Sequence, residues 1–158
     1  MKAAGNILWH IPFMGFITAG ITYLMGIVLI ATVIAAPLGL GLIEHAKFLL
    51  KPFGRAMVSS DQMIKNKVTK TETSKYWGIY SKIIMILWLP FGALFALGAA
   101  FQTIGLFFSI IGIPAGLVMA KSLSTYFNPV GKVCVSQAVA DEIERRMAQE
   151  EINEKLAA

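Results

Sequence analysis

Charged residues are absent from two long stretches of this chain. Ala3 to Ile43 is a run of 41 residues without Asp, Glu, Lys or Arg, and Ile83 to Ala120 is another of 38. A membrane helix needs about 20 apolar residues. As one helix each run would be about 60 Å long, roughly twice the hydrocarbon thickness. Each run must therefore bend. Pro12 and Pro90 near the starts, and Pro37 and Pro114 near the ends, are the available places. Two layouts satisfy the pattern. One has a single long span per run, over 13–36 and 91–113. The other has two short spans per run, forming a tight hairpin.

The two runs also resemble each other. "ILWHIPFMG" (Ile7 to Gly15) matches "ILWLPFG" (Ile86 to Gly92), with two residues fewer in the second copy. Further on, the offset is 77. Pro37 and Gly39 fall on Pro114 and Gly116, Pro52 and Gly54 on Pro129 and Gly131, and Arg55 on Lys132. The expected fold is all-α: an integral membrane helical protein built from two tandem repeats. It has two to four membrane segments, amphipathic interfacial helices and a C-terminal helix. Its divisions are 1–58 for the first repeat, 59–75 for a polar linker, 76–135 for the second repeat and 136–158 for a charged helical tail. Internal repeats are frequent in transporters, although duplication alone does not imply transport.

After each run the pattern becomes amphipathic. Glu44, Lys47, Lys51 and Arg55 are spaced 3, 4 and 4, which is one helix face. Ile43, Ala46, Leu49, Leu50 and Phe53 occupy the opposite face. The matching positions in the second copy are Lys121, Ser124, Asn128 and Lys132. The stripe suits a helix lying on a membrane surface or one packed on the protein's own spans. The residues expected to break or turn the backbone are Pro37, Gly39, Pro52, Gly112, Pro114, Gly116, Pro129 and Gly131. Gly98, Gly105 and Gly112, seven apart, predict a seam for close helix packing. Trp9 and Trp88, near the starts of the runs, are candidate interface anchors.

Charge then bears on orientation. The net charge is +5. Eight Lys or Arg lie between Glu44 and Lys82, and five in the tail from Lys121. The positive-inside rule favours hairpins, because they put both groups and Lys2 on the cytoplasmic side. Both layouts put the termini together, and the cytoplasm is the expected side. The basic segments point to anionic lipid as a partner rather than nucleic acid. The first run begins after a single Lys2 and is too long for a signal peptide. In the tail, Asp141–Arg145, Glu142–Arg146 and Glu151–Lys155 are i,i+4 pairs with the acid first, predicting a helix over 136–156.

Candidate chemistry is sparse. His10 and His45 are the only histidines and Cys134 the only cysteine, so no metal site, disulfide or other cofactor is expected. No nucleophile elbow, P-loop or dinucleotide fingerprint occurs. No catalytic residue is assigned and the chain is not expected to be an enzyme. The runs do carry uncharged polar groups: Thr18, Thr22, Thr32, Gln102, Thr103 and Ser109. They either bond between helices or face a narrow polar path. A 17.2 kDa chain needs a homo-oligomer to enclose such a path.

"NILW" at Asn6 to Trp9, "IIGIPAG" at Ile110 to Gly116 and "NPVGK" at Asn128 to Lys132 resemble the YccF family, whose repeated unit is the inner membrane component domain. The resemblance covers residues 5–135. The first copy has "VIAAPLG" in place of "IIGIPAG", and the second lacks the Asn before "ILW". It implies a bacterial inner-membrane protein with two such domains and carries over no catalytic residue. Two functions follow as expectations. A homo-oligomeric channel or small-solute transport protein stands slightly ahead of a non-transporting scaffold or accessory subunit.

Overall fold

A computed structural model describes residues 2–65 and 75–157. The expected linker spans 59–75, and its residues 66–74 lie outside the described residues. The first half holds α1 (Lys2–His10), α2 (Gly15–Ala31), α3 (Ala36–Leu50), β1 (Arg55–Ser59) and α4 (Ser60–Lys65). The second holds α5 (Lys75–Phe107), α6 (Ile113–Phe127), β2 (Lys132–Ser136) and α7 (Gln137–Ala157). The chain is mostly helical. This fits the all-α expectation, with a short two-stranded antiparallel ribbon, β1 against β2, added to the helices.

Proline sets the boundaries. Pro37 and Pro114 sit in the first turn of α3 and α6, where a missing N–H costs nothing. They therefore start the return helices, and Gly39 and Gly116 lie inside those helices rather than at a break. The breaks themselves are residues 32–35 and 108–112. Pro52 and Pro129 stop the helices. The residue before a proline is pushed out of the α region, and Lys51 and Asn128 both have φ −147°. The polar stripe consequently ends with the helix: Arg55 and Lys132 open strands instead of continuing a helical face.

The two early prolines behave differently. Pro12 lies between α1 and α2, which meet at 76°. Pro90 lies inside α5, which runs unbroken for about 50 Å. The two additional residues of "WHIPFMG" supply the slack for the first break, and "WLPFG" has none. The helix over Tyr76–Phe107 is long and apolar enough to cross a membrane, and α1 with α2 would be if counted as one bent span.

Each half folds back on itself, α2 against α3 and α5 against α6. In the first hairpin the backbones approach at Gly26 and Gly39: a Cβ at Gly26 would lie 2.9 Å from the Gly39 carbonyl oxygen. The two α–α turns lie at opposite ends of α5. The Tyr80 hydroxyl donates to the carbonyl oxygens of Val33 (3.0 Å) and Ile34 in the first turn. Leu106 and Phe107 adjoin Gly112 and Gly116 of the second.

Candidate functional site: the ribbon and the helices beneath it

The strands pair with Met57 opposite Cys134, flanked by Arg55 with Ser136 and Ser59 with Lys132. Side chains alternate between the faces of a strand, and here the two faces pack on different layers. Met57 and Cys134 face a core of Trp9, Ala19, Phe48, Leu49, Ala115 and Val118. Ala56, Val58 and Val135 face Ala140 and Ile143 of α7 and Met63 of α4. The ribbon thus lies between the helical hairpins and the charged tail. Gly131, before β2, has φ +69°, a left-handed turn that suits glycine.

Glu44 ties α3 to the ribbon. Its Oε2 accepts from the Cys134 N–H at 3.0 Å, and its Oε1 pairs with Lys47. The Arg55 guanidinium donates to Cys134 Sγ at 3.8 Å. Burial pushes the Cys134 thiol pKa up, opposed by that Arg55 contact. Burial also pulls the Lys132 ammonium down. A protonated, half-buried thiol is a poor nucleophile.

Beneath the ribbon α3 and α6 meet at a buried polar cluster. His45 is 1% exposed, stacks on Phe48 at 5.8 Å and meets the edge of Tyr126 at 5.3 Å. Neither of its ring nitrogens has a hydrogen-bond partner, and neither does the buried Thr125 Oγ1. Ser122, also buried, donates to the Val118 carbonyl at 2.9 Å. No group of three or more metal-ligating side chains exists among the described residues. Nothing local in the sequence marks this cluster, because its members come from opposite halves.

The two tryptophans differ: Trp9 packs inside the chain, and Trp88 is only half-buried. Trp9 is buried, and its Nε1 donates to the Leu49 carbonyl at 2.9 Å. With His10 Nε2 at 2.9 Å from the Leu50 carbonyl oxygen, and Asn6 Oδ1 accepting from Phe53 N–H, α1 occupies backbone groups at the end of α3. Trp88 is half-buried beside Gly92, and its Nε1 has no partner.

The polar residues of the two uncharged runs are not brought together among the described residues. Thr22 donates to the Thr18 carbonyl (2.8 Å) and Thr103 to that of Ala99 (2.7 Å), while Thr18 makes a 3.5 Å contact with the Met14 carbonyl. Gln102 is exposed on α5, and Ser109 lies in the second turn. The glycine seam is also interrupted. Gly112 lies past the end of α5, and a Cβ on Gly98 or Gly105 would meet open space. Among the described residues neither glycine packs against another helix. The close approaches involve Gly26, Gly39, Gly41 and Gly92 instead.

In the tail, Glu142 takes both arginines: Arg145 at 2.9 Å and Arg146 at 2.7 Å. These hydrogen bonds hold its carboxyl pKa down at about 2. Asp141 accepts from Gln137 instead of pairing with Arg145. Glu151 and Lys155 pair at 2.7 Å, and Lys65 reaches Glu150 at 3.4 Å, joining α4 to α7.

No curated protein and no solved structure matches the chain. Residues 4–55, from α1 to the first residue of β1, match the family model described as YccF, inner membrane component domain; that match supports a membrane protein located at an inner membrane.

Proposed function

We propose that the chain is a duplicated module of the bacterial inner membrane that anchors a cytoplasmic platform, the ribbon with α7, as a non-transporting scaffold or accessory subunit. The observation that carries this reading is the placement of the polar groups. The hydroxyls of Thr22 and Thr103 are spent on their own helix backbones. A charged, exposed surface lies instead on α7, which extends beyond Ala140 and Ile143, the residues it packs against the ribbon. β1 and β2 begin 77 residues apart and pair symmetrically about Met57 and Cys134, which supports the tandem repeat. Lys47, Lys51 and Lys121 around the platform suit anionic lipid headgroups. Neither nucleic acid nor a cofactor enters this reading.

The test is a truncation that spares the ribbon contacts. Removal of 149–158 should leave the chain folded in the membrane and abolish crosslinking to one constant partner protein. A full set of crosslinks without those residues would overturn the reading.

A second reading, a homo-oligomeric channel, is favoured by Gln102 alone. Its amide is exposed on an apolar helix, and a polar group facing lipid gains from a partner in another copy. Purified protein in planar bilayers would then conduct, and Gln102→Leu would change the current. Absence of conductance across several salts would remove it.

A further inference from the structure

We propose that the α5–α6 turn is seated in the hydrocarbon of the bilayer, with lipid acyl chains as its partner. The hairpin then enters and leaves through the ribbon's face and never reaches water on the other side. This rests on the membrane location of the chain and on neither of the two functions above.

The turn is the most apolar exposed loop among the described residues. Phe108, Ile110 and Ile111 are 89%, 88% and 72% exposed. In water such a cluster would be a liability. Part of its backbone is paired within the turn, which counts in hydrocarbon, where each unpaired N–H or C=O costs several kcal/mol; the N–H groups of Ile110 and Ile111 are not among the paired ones. The Ser109 N–H donates to the Leu106 carbonyl (3.2 Å), the Gly112 N–H to that of Ser109 (2.9 Å), and the Gly116 N–H to that of Gly112 (2.8 Å).

Interface markers are all at the other end of the hairpin. Between Trp88 and Lys121 the sequence has no Trp, Tyr, His, Lys, Arg, Asp or Glu. A turn emerging on a far surface would ordinarily carry aromatic or basic anchors there. Trp88 and Gly92 instead lie beside the end of α6 that leads into the ribbon. The first α–α turn differs, because Tyr80 reaches it and Lys82 lies nearby in α5.

Depth decides between crossing and returning. Lys121 is exposed, and its Nζ donates to Gln137 Oε1 at 3.2 Å at the start of α7. From Lys121 back to Ile113, the first residue of α6, is about 12 Å of helix. The hydrocarbon is about 30 Å thick. With Lys121 held at the ribbon, the turn ends within the nearer leaflet, and α5 reaches it obliquely rather than as an upright span.

The test places single cysteines in a Cys134→Ser background: Ile110→Cys in the turn, Phe108→Cys as a second turn position, and Glu144→Cys on α7 as a surface reference. Right-side-out and inside-out vesicles are treated with a membrane-impermeant maleimide. Spin-labelled protein in lipid vesicles is then probed with oxygen, which partitions into hydrocarbon, and with a water-soluble nickel chelate. The reference should react from one face only, which also confirms membrane insertion independently of the turn. Both turn positions should react from neither face until detergent is added, and should be relaxed strongly by oxygen and weakly by nickel. Maleimide reaction from either face in intact vesicles would overturn the proposal. So would protection from both oxygen and nickel, which would mean that protein covers the turn.

Discussion

Met57 and Cys134 face each other across the ribbon, and they are 77 residues apart, the offset at which the two halves of the sequence match. The Cys134 N–H goes to Glu44 rather than across the ladder, so this is the closely spaced, non-hydrogen-bonded type of antiparallel pair. Such pairs have Cα atoms about 4.5 Å apart, within reach of a disulfide. Met57→Cys should therefore form an intramolecular disulfide with Cys134 on mild oxidation. Its mark is a faster non-reduced band on a denaturing gel and about 2–4 kcal/mol of added stability. Absence of the faster band would place the strands in another register.

The two tryptophans predict unequal costs for the same substitution. Trp9→Phe removes a buried hydrogen bond and strands the Leu49 carbonyl, which should cost about 1–3 kcal/mol. Trp88→Phe removes an N–H that has no partner and should cost less. Thermal unfolding of both variants in one detergent provides the comparison.

Gly41 sits where its Cβ position overlaps the carbonyl of Pro129. A backbone atom cannot rotate away as a side chain can. Gly41→Ala should push α3 from the start of the segment leading to β2, with a loss of about 1–3 kcal/mol or more. Gly98→Ala faces open space and should leave the melting temperature almost unchanged.

Cys134 predicts a pH dependence with a definite sign. Its pKa is raised by burial, so at a given mildly alkaline pH its thiolate fraction is smaller than that of an exposed cysteine. Alkylation should be slower than for a cysteine placed on α7, and should accelerate only at higher pH. Arg55→Met removes the opposing contact and should move the rate profile further up in pH. A rate profile centred below that of the α7 cysteine would contradict this.

His45 buries two unpartnered ring nitrogens. Replacing a buried polar group that lacks partners with an apolar one of similar size is often neutral or stabilising. His45→Leu should hold or raise the melting temperature of the chain. A large loss would mean that the imidazole is hydrogen-bonded where it is buried.

Much of the architecture was legible because Trp, Pro and Gly carry local backbone constraints. Pro37, Pro52, Pro114 and Pro129 set helix starts and stops in both halves, and the acid-first tail pairs mark α7 from Gln137. The ribbon was not legible. Its two strands are five residues each, and each owes its conformation to a partner in the other half of the chain. Arg55 therefore reads as the last step of a helical stripe until the pre-proline residue Lys51 is seen to end that helix. The role of Trp9 was missed for a similar reason. A tryptophan at the edge of an apolar run resembles an anchor, and only the distant Leu49 carbonyl shows that it is a clamp. The glycine spacing of seven crosses a boundary that the sequence does not mark: Gly98 and Gly105 lie in α5, and Gly112 lies past its end.

The pairing of β1 with β2 also sets a timetable for synthesis. β1 leaves the ribosome while its partner, 77 residues downstream by the Met57–Cys134 pairing, is still untranslated. At about 5–20 residues per second the wait is roughly 4–15 s. During it the first hairpin can meet the membrane, but its strand has an open edge and its Glu44 has no Cys134 amide to accept. The ribbon is therefore closed well after the first hairpin is made: β2 completes it, and α7, which follows β2 in the chain, covers it after that.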